Sequence, residues 1–284
     1  MKKDRQRWRQ SPVVNAIPHF THWIAFRVAF LLIRLFGSCA EYPAPLAMPA
    51  LFRESERIKL PAILSHHGFT TMTGYSWPHI GVRETCRRMR WHLIFVSALY
   101  VASFLGGVVA IWVSLPFAVE LRNSLLRTVA SQVPFTTITE VLRSGRLLLA
   151  IALTFLVNLS SGAFLSTTLL GVIPLLGAMG TSLVTFYRGF TLGVVYYAVL
   201  GLSPAAFALG AGTLILELGA YVFSGAAGIW LSLSTVFPTR YGVGSRWAAF
   251  RKAWFDTAKL YVVVIVLLFA GAVWEMTGLF LALR

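Results

Sequence analysis

Long runs of apolar residues, interrupted mainly by small polar side chains, dominate the last two thirds of the chain. Five runs are long enough to cross a hydrocarbon layer of ~30 Å, which takes roughly 20 helical residues. They cover residues 91–114, 147–171, 177–201, 205–237 and 258–283. The pattern predicts an all-α polytopic membrane protein with five transmembrane helices. It divides the chain into an N-terminal region, residues 1–90, and a transmembrane domain, residues 91–284.

The connections between the predicted helices constrain how they pair. The links between spans two and three and between spans three and four are short and uncharged, so chain length makes helical hairpins of these neighbours. The fourth run is too long for one straight crossing and contains Gly210 and Gly212 after Pro204. Its start is therefore either part of a tilted crossing or a re-entrant or broken segment.

Composition agrees with a membrane protein, because only 12% of the residues are charged and mean hydropathy is +0.72. This charge content is about half that of a soluble domain. The net charge of +15 could indicate nucleic acid, but 14 of the 25 cations lie in residues 1–90. A cytoplasmic membrane-surface region explains the charge better, and we predict no nucleic-acid partner.

The same cations set the orientation of the chain. The N-terminal region and the link before the last span are basic, whereas residues 115–146 carry only four cations. The positive-inside rule predicts a protein of the cytoplasmic (inner) membrane with its N-terminus inside and its C-terminus outside. Cys39 and Cys86 then lie in the reducing compartment, where a structural disulfide is not expected.

Two segments have the pattern of amphipathic helices. In residues 20–36, Arg27 and Arg34 are seven positions apart and share one face of an otherwise apolar helix, which predicts a membrane-surface helix on the cytoplasmic side. The alternative is a sixth span. In the outer connection, Phe117 and Leu121 follow helical spacing opposite Glu120 and Arg122, which predicts a second amphipathic helix on the outer face.

Few strongly polar side chains remain inside the predicted spans. A rise of ~1.5 Å per residue places them in one layer in the central to outer part of the bilayer. The layer consists of Asn158, Arg188, Glu217 and Glu275. Ionised side chains at this depth are costly, so we expect Arg188 to contact one of the two glutamates, directly or through a water.

Small residues on the same helices predict close helix packing. In span four they recur every four residues on the Glu217 side. The predicted packing positions are Gly189, Gly193, Ala220, Ser224, Gly228, Gly271 and Gly278.

Several of these residues carry a family resemblance. The stretch ELGAYVFSGAAG at residues 217–228, Asn158 four residues before Gly162, the pair Arg188 and Gly189, and Glu275 after a tryptophan resemble the stage II sporulation protein M family. The resemblance covers about residues 90–283. The chain has Gly212-Thr213-Leu214-Ile215-Leu216 where the family often has Pro-His-Gly-Ile-Phe, and Arg188 where it often has Asn, so no role of that histidine carries over.

The resemblance implies a five-span helical membrane protein. Founding members of the family act in engulfment during spore formation, in a complex with peptidoglycan-degrading proteins, and many relatives come from organisms that make no spores. The resemblance by itself therefore implies no sporulation role for this chain.

Motifs for other chemistry are absent from the sequence pattern. The spacing of His66, His67, His79, His92 and Cys86 matches no zinc site, and the glycines form no phosphate-binding loop. We predict no metal, no cofactor and no enzymatic activity.

Two functions remain open. The first is a membrane scaffold or assembly subunit that binds lipids and other membrane protein subunits. The alternative is a small transporter, channel or lipid-handling protein that uses the buried Asn, Arg and Glu layer.

Overall fold

The computed structural model describes residues 81–196 and 203–283, and these are helical almost throughout, with no strand among them. A short helix, α1 (Val82–Arg88), turns at Met89 into α2 (Arg90–Trp112). Arg27, Arg34, the predicted surface helix at 20–36 with its alternative of a sixth span, and nearly all of the region 1–90 lie outside the described residues.

Two helices follow α2 in the outer connection. The first, α3 (Pro116–Ser131), confirms that the predicted amphipathic segment is helical, and Ala118 is its fully buried contact with the bundle. The second, α4 (Val133–Arg143), was not predicted. Its residues Ile138 and Leu142 pack against the ends of two later helices.

The second predicted span is a composite helix. It begins as α5 (Leu147–Val157), continues as a π-helical stretch of 11 residues, Asn158–Thr168, and ends in a 3₁₀ turn, Leu170–Val172. The stretch Asn158–Thr168 is called the π segment below. π geometry is rare and is found mostly as single turns, often at functional sites.

The remaining helices are α6 (Leu176–Tyr196), α7 (Pro204–Val236) and α8 (Arg246–Leu283), with a 3₁₀ turn, Pro238–Tyr241, between the last two. Within the described residues, four helices are long and apolar enough to cross a membrane: α2, the composite Leu147–Val172, α7 and α8. The remaining predicted crossing, residues 177–201 and third in chain order, coincides with α6, and its last residues, 197–201, lie outside the described ones.

No break occurs at the start of the fourth span. α7 is one continuous helix of 33 residues, with Pro204 in its first turn and Ser203 as its N-cap. Proline is tolerated there because the first helical N–H groups lack partners in any case. Gly212 makes room for the indole of Trp274 on α8, whose Nε1 donates to the Leu209 carbonyl at 3.0 Å. The glycine therefore serves packing and does not interrupt the helix.

α7 is the centre of the bundle. Every residue from 220 to 232 is buried, and α2, the π segment, α6 and α8 all pack against it. A helix that is buried all round belongs to a protein core.

The helices around α7 differ from it, because they carry large apolar side chains that are exposed on the outside of the bundle. Examples are Leu105 on α2, Leu148 on α5, Leu183 on α6 and Val262 on α8. Such an apolar belt suits lipid, while small and polar residues fill the helix interfaces. The described part of the chain is built as an integral membrane protein.

Candidate functional site

Asn158 and Glu217 form the centre of a polar cluster between the helices. Asn158 is the first residue of the π segment, and its Nδ2 donates to Glu217 Oε1 at 2.6 Å. Glu217 lies near the middle of α7, one turn before the fully buried stretch. The bond joins two helices through residues that are 59 positions apart in the sequence.

Arg188 contacts the π segment and forms no direct ion pair with a glutamate, while the alternative contact through a water stays a prediction. Its Nη1 donates to the Gly162 carbonyl at 2.7 Å and its Nη2 to Ser166 Oγ at 2.9 Å. The guanidinium lies 4.4 Å from the centre of the Tyr221 ring. Among the described residues, the direct contact with Glu217 or Glu275 is therefore wrong, because the neighbouring helix offers closer acceptors and an aromatic face.

Gly162 is the point at which these groups converge. Its carbonyl also accepts from Ser166 Oγ at 2.6 Å, so one backbone oxygen receives two donors. A Cβ at this position would come within 2.7 Å of the Tyr221 hydroxyl oxygen. The absence of a side chain allows Tyr221, one turn after Glu217, to lie against the π segment.

Glu275 lies beside this network without joining it by a hydrogen bond. The residue is partly buried on α8 and makes no hydrogen bond or ion pair within residues 81–196 and 203–283. It lies one helical turn after Gly271, whose Cβ position is 3.6 Å from Glu217 Cγ, so the two acids are on neighbouring helices at a similar level. The four predicted polar residues thus occupy one region, but only Asn158 and Glu217 bond directly.

A second polar layer, which the sequence reasoning missed, follows toward the other end of the π segment. Thr167 Oγ1 donates to Ser224 Oγ at 3.0 Å, and Thr168 Oγ1 donates to the Ser224 carbonyl at 3.2 Å. Thr181 Oγ1 donates to the Thr167 carbonyl at 3.0 Å, and Tyr261 OH donates to Thr168 Oγ1 at 2.7 Å. The high density of hydroxyl side chains in the π segment was the sequence signal that could have indicated this layer.

The predicted packing residues lie at helix crossings. Gly189 and Gly193 of α6 face Ser103 and Phe104 of α2. On α7, Ala220 and Ser224 are fully buried and Gly228 meets the backbone of Thr167. On α8, Gly271 faces Leu216 and Glu217, and Gly278 faces Leu209.

The ends of α2, α6 and α7 meet at the basic side of the bundle. The His92 ring packs edge-on against Trp230 with centroids 5.3 Å apart. Ser232 Oγ donates to the Ile173 carbonyl at 2.9 Å and accepts from the Ala178 N–H at 2.9 Å. Ser232 therefore holds the tight turn between the composite helix and α6.

A buried acid at the same end was also missed by the sequence reasoning. The Asp256 side chain on α8 is 3% exposed, and its carboxylate lies 3.3 Å from Arg88 Nη1 of α1. Lys259 Nζ lies 4.0 Å from Asp256 Oδ1. Asp256 was hidden in the sequence because it precedes the predicted span by two residues.

Metal ligation finds no support in the described part of the chain. No group of three or more His, Cys, Asp or Glu side chains there could hold a metal ion. His66, His67 and His79 lie outside the described residues. The Tyr241 ring packs edge-on against Trp230 with centroids 4.4 Å apart, and burial raises the pKa of the Tyr241 hydroxyl above its usual value.

The sequence model of the family described as Stage II sporulation protein M matches residues 96–277. No curated protein matches the chain. No solved structure matches it.

Proposed function

Because the chain belongs to the stage II sporulation protein M family, we propose that it is a non-enzymatic integral membrane scaffold, an assembly subunit of a larger complex in the cytoplasmic membrane. The observation that carries this proposal is that its intramembrane polar groups form hydrogen bonds between helices. Asn158 bonds Glu217, and Arg188 bonds the π segment, so both donors link one helix to another. Buried hydrogen bonds of this kind make the helix bundle rigid.

The proposal includes five crossings, with the N-terminus in the cytoplasm and the C-terminus outside. Contacts between His92 and Trp230 and between Ser232 and Ile173 place the starts of α2 and α6 at the same end as the end of α7. This end carries most of the charge, as nine cations against two acids lie in residues 81–90 and 237–259. The positive-inside rule assigns it to the cytoplasm.

Cysteine labelling in intact cells tests the topology. In a chain with Cys39 and Cys86 replaced by Ser, single cysteines are placed at positions 10 and 284. We expect a membrane-impermeant maleimide to label position 284 only. Labelling of position 10 with protection of position 284 would overturn the orientation, and labelling of both would overturn the odd number of crossings.

Purification in mild detergent tests the scaffold role. We expect the tagged chain to copurify with defined membrane subunits in reproducible ratio, and to retain them when Glu275 is replaced by Gln. A chain that purifies alone at all detergent strengths, also after chemical cross-linking in cells, would contradict the proposal.

A transporter or channel is the second candidate, and Glu275 is the observation that favours it. This carboxylate is partly buried, lies near Glu217 and has no hydrogen-bond partner within the described residues. Intramembrane acids of this kind mark ion and proton pathways. Flux of protons or monovalent cations into liposomes that stops with Glu275→Gln and persists with Glu140→Gln, an exposed site on α4, would favour transport over scaffolding.

A further inference from the structure

A surface groove lies at the basic end of the bundle, away from the polar cluster. It has a volume of about 440 Å³ and is lined almost entirely by apolar side chains from α2, α6 and α7, among them Trp91, Phe95, Met179 and Leu233. The groove is open at the surface of the bundle. Neither the scaffold proposal nor the transport alternative uses it.

The groove lies beside the ends of three helices, the level at which a membrane-spanning helix leaves the hydrocarbon for the headgroup region. Trp91 and Met179 belong to the first turns of α2 and α6, and Leu233 belongs to the last turn of α7. All three helix ends lie at the same side. The Trp91 side chain is 66% exposed, and tryptophan is enriched at the membrane interface.

Charge at this end is strongly unbalanced. Its two acids are already engaged, since Glu84 pairs with Arg87 at 2.9 Å and Asp256 pairs with Arg88 at 3.3 Å. Arg90 forms no ion pair within the described residues, and its guanidinium lies 5.3 Å from the centre of the Trp91 ring. An arginine with no ion pair in the described part of the chain therefore lies beside Trp91, one of the residues that line the groove.

From this juxtaposition we propose that the groove binds an anionic phospholipid, with one acyl chain between α2, α6 and α7 and the headgroup phosphate at Arg90. The guanidinium matches a phosphate in charge and in planar hydrogen-bond geometry. A groove of about 440 Å³ with an apolar lining suits an acyl chain.

Lipid-dependent thermal stability of the purified full-length chain tests the site. Phosphatidylglycerol and phosphatidylethanolamine with identical acyl chains are added to the delipidated protein in detergent. A ligand that binds the folded state raises the melting temperature. We expect phosphatidylglycerol to raise it by several degrees more than phosphatidylethanolamine does.

Two variants locate the binding. Arg90→Gln should remove at least half of the difference between the two lipids, whereas Arg83→Gln should keep it, because Arg83 lies on α1, which contributes no residue to the lining of the groove. Ser182→Phe fills the groove and should reduce the effect of both lipids. Leu183→Phe on the next position, which is 69% exposed and does not line the groove, should leave both effects intact.

Three results would overturn the site. The first is equal stabilisation by the two lipids. The second is an unchanged preference for phosphatidylglycerol in both Arg90→Gln and Ser182→Phe. The third is equal stabilisation by soluble glycerol phosphate, which has the headgroup charge and no acyl chain.

Discussion

The side-chain amide of Asn158 donates to Glu217 at 2.6 Å and joins the first residue of the π segment to α7. Asn158→Ala would leave the carboxylate without this donor, and an unsatisfied buried polar group costs ~1–3 kcal/mol. Glu217→Gln keeps an acceptor for Asn158 and should cost less. Thermal unfolding in detergent measures both, with Asn123→Ala on the exposed side of α3 as the control. Equal melting temperatures for Asn158→Ala and this control would contradict the role of the bond.

Arg188 holds the π segment and Tyr221 together, which makes it sensitive even to a conservative change. Lysine keeps the charge but lacks the planar fork that reaches both the Gly162 carbonyl and Ser166 Oγ. We expect Arg188→Lys to lower the melting temperature and Arg188→Leu to reduce accumulation in membranes more than Glu217→Gln does. Immunoblots of membrane fractions check this order. Normal accumulation of Arg188→Leu beside loss of Glu217→Gln would reverse the assignment.

Gly171 and Gly228 allow the backbones of the composite helix and α7 to come into direct contact where the two helices cross. A Cβ on Gly171 would collide with the carbonyl of Gly228. Overpacking of this kind costs ~1–3 kcal/mol, so Gly171→Ala should lower the melting temperature by several degrees. Gly244→Ala is the matched control, because no atom lies within 4 Å of its Cβ position. An equal effect of the two substitutions would show that the crossing relaxes easily.

Arg88 and Arg87 are adjacent, but their ion pairs should contribute differently to the free energy of unfolding. Arg88 pairs with the buried Asp256, whereas the Arg87 side chain is 69% exposed and pairs with Glu84. Breaking a buried ion pair costs ~3–5 kcal/mol, and the partial exposure of Arg88 places its loss toward the lower end. Arg87→Ala should cost at most ~1 kcal/mol.

A second substitution distinguishes charge from packing at this pair. In Arg88→Ala the buried Asp256 carboxylate keeps Lys259, at 4.0 Å, as its one ion-pair partner among the described residues. Asp256→Asn removes that carboxylate, so the double variant with Arg88→Ala should be more stable than Arg88→Ala alone. Denaturant or thermal unfolding of the unsubstituted chain, the two single variants and the double variant gives the coupling free energy between the two residues. Additive effects would mean that Arg88 acts through packing.

The positions of the membrane helices could be predicted from the sequence, because the hydrocarbon layer sets both the length and the composition of a crossing. Four predicted spans coincide with helices of suitable length and hydropathy. The predicted packing glycines also lie at helix crossings, since only small residues permit such approach. α4 was missed because its pattern of Ile138, Val141 and Leu142 is short and lies in a polar connection.

The partners of the polar side chains depended on the tertiary structure. Depth along a helix follows from residue number at ~1.5 Å per residue, and it correctly brought Asn158, Arg188 and Glu217 to one region. Hydrogen bonding depends in addition on the direction in which each side chain leaves its helix. The π segment changes that direction for every residue after Asn158, and its geometry presents the Gly162 carbonyl to Arg188. The sequence by itself therefore determined the class of protein and the level of its polar layer, while the rotation of the packed helices decided which residues in that layer touch.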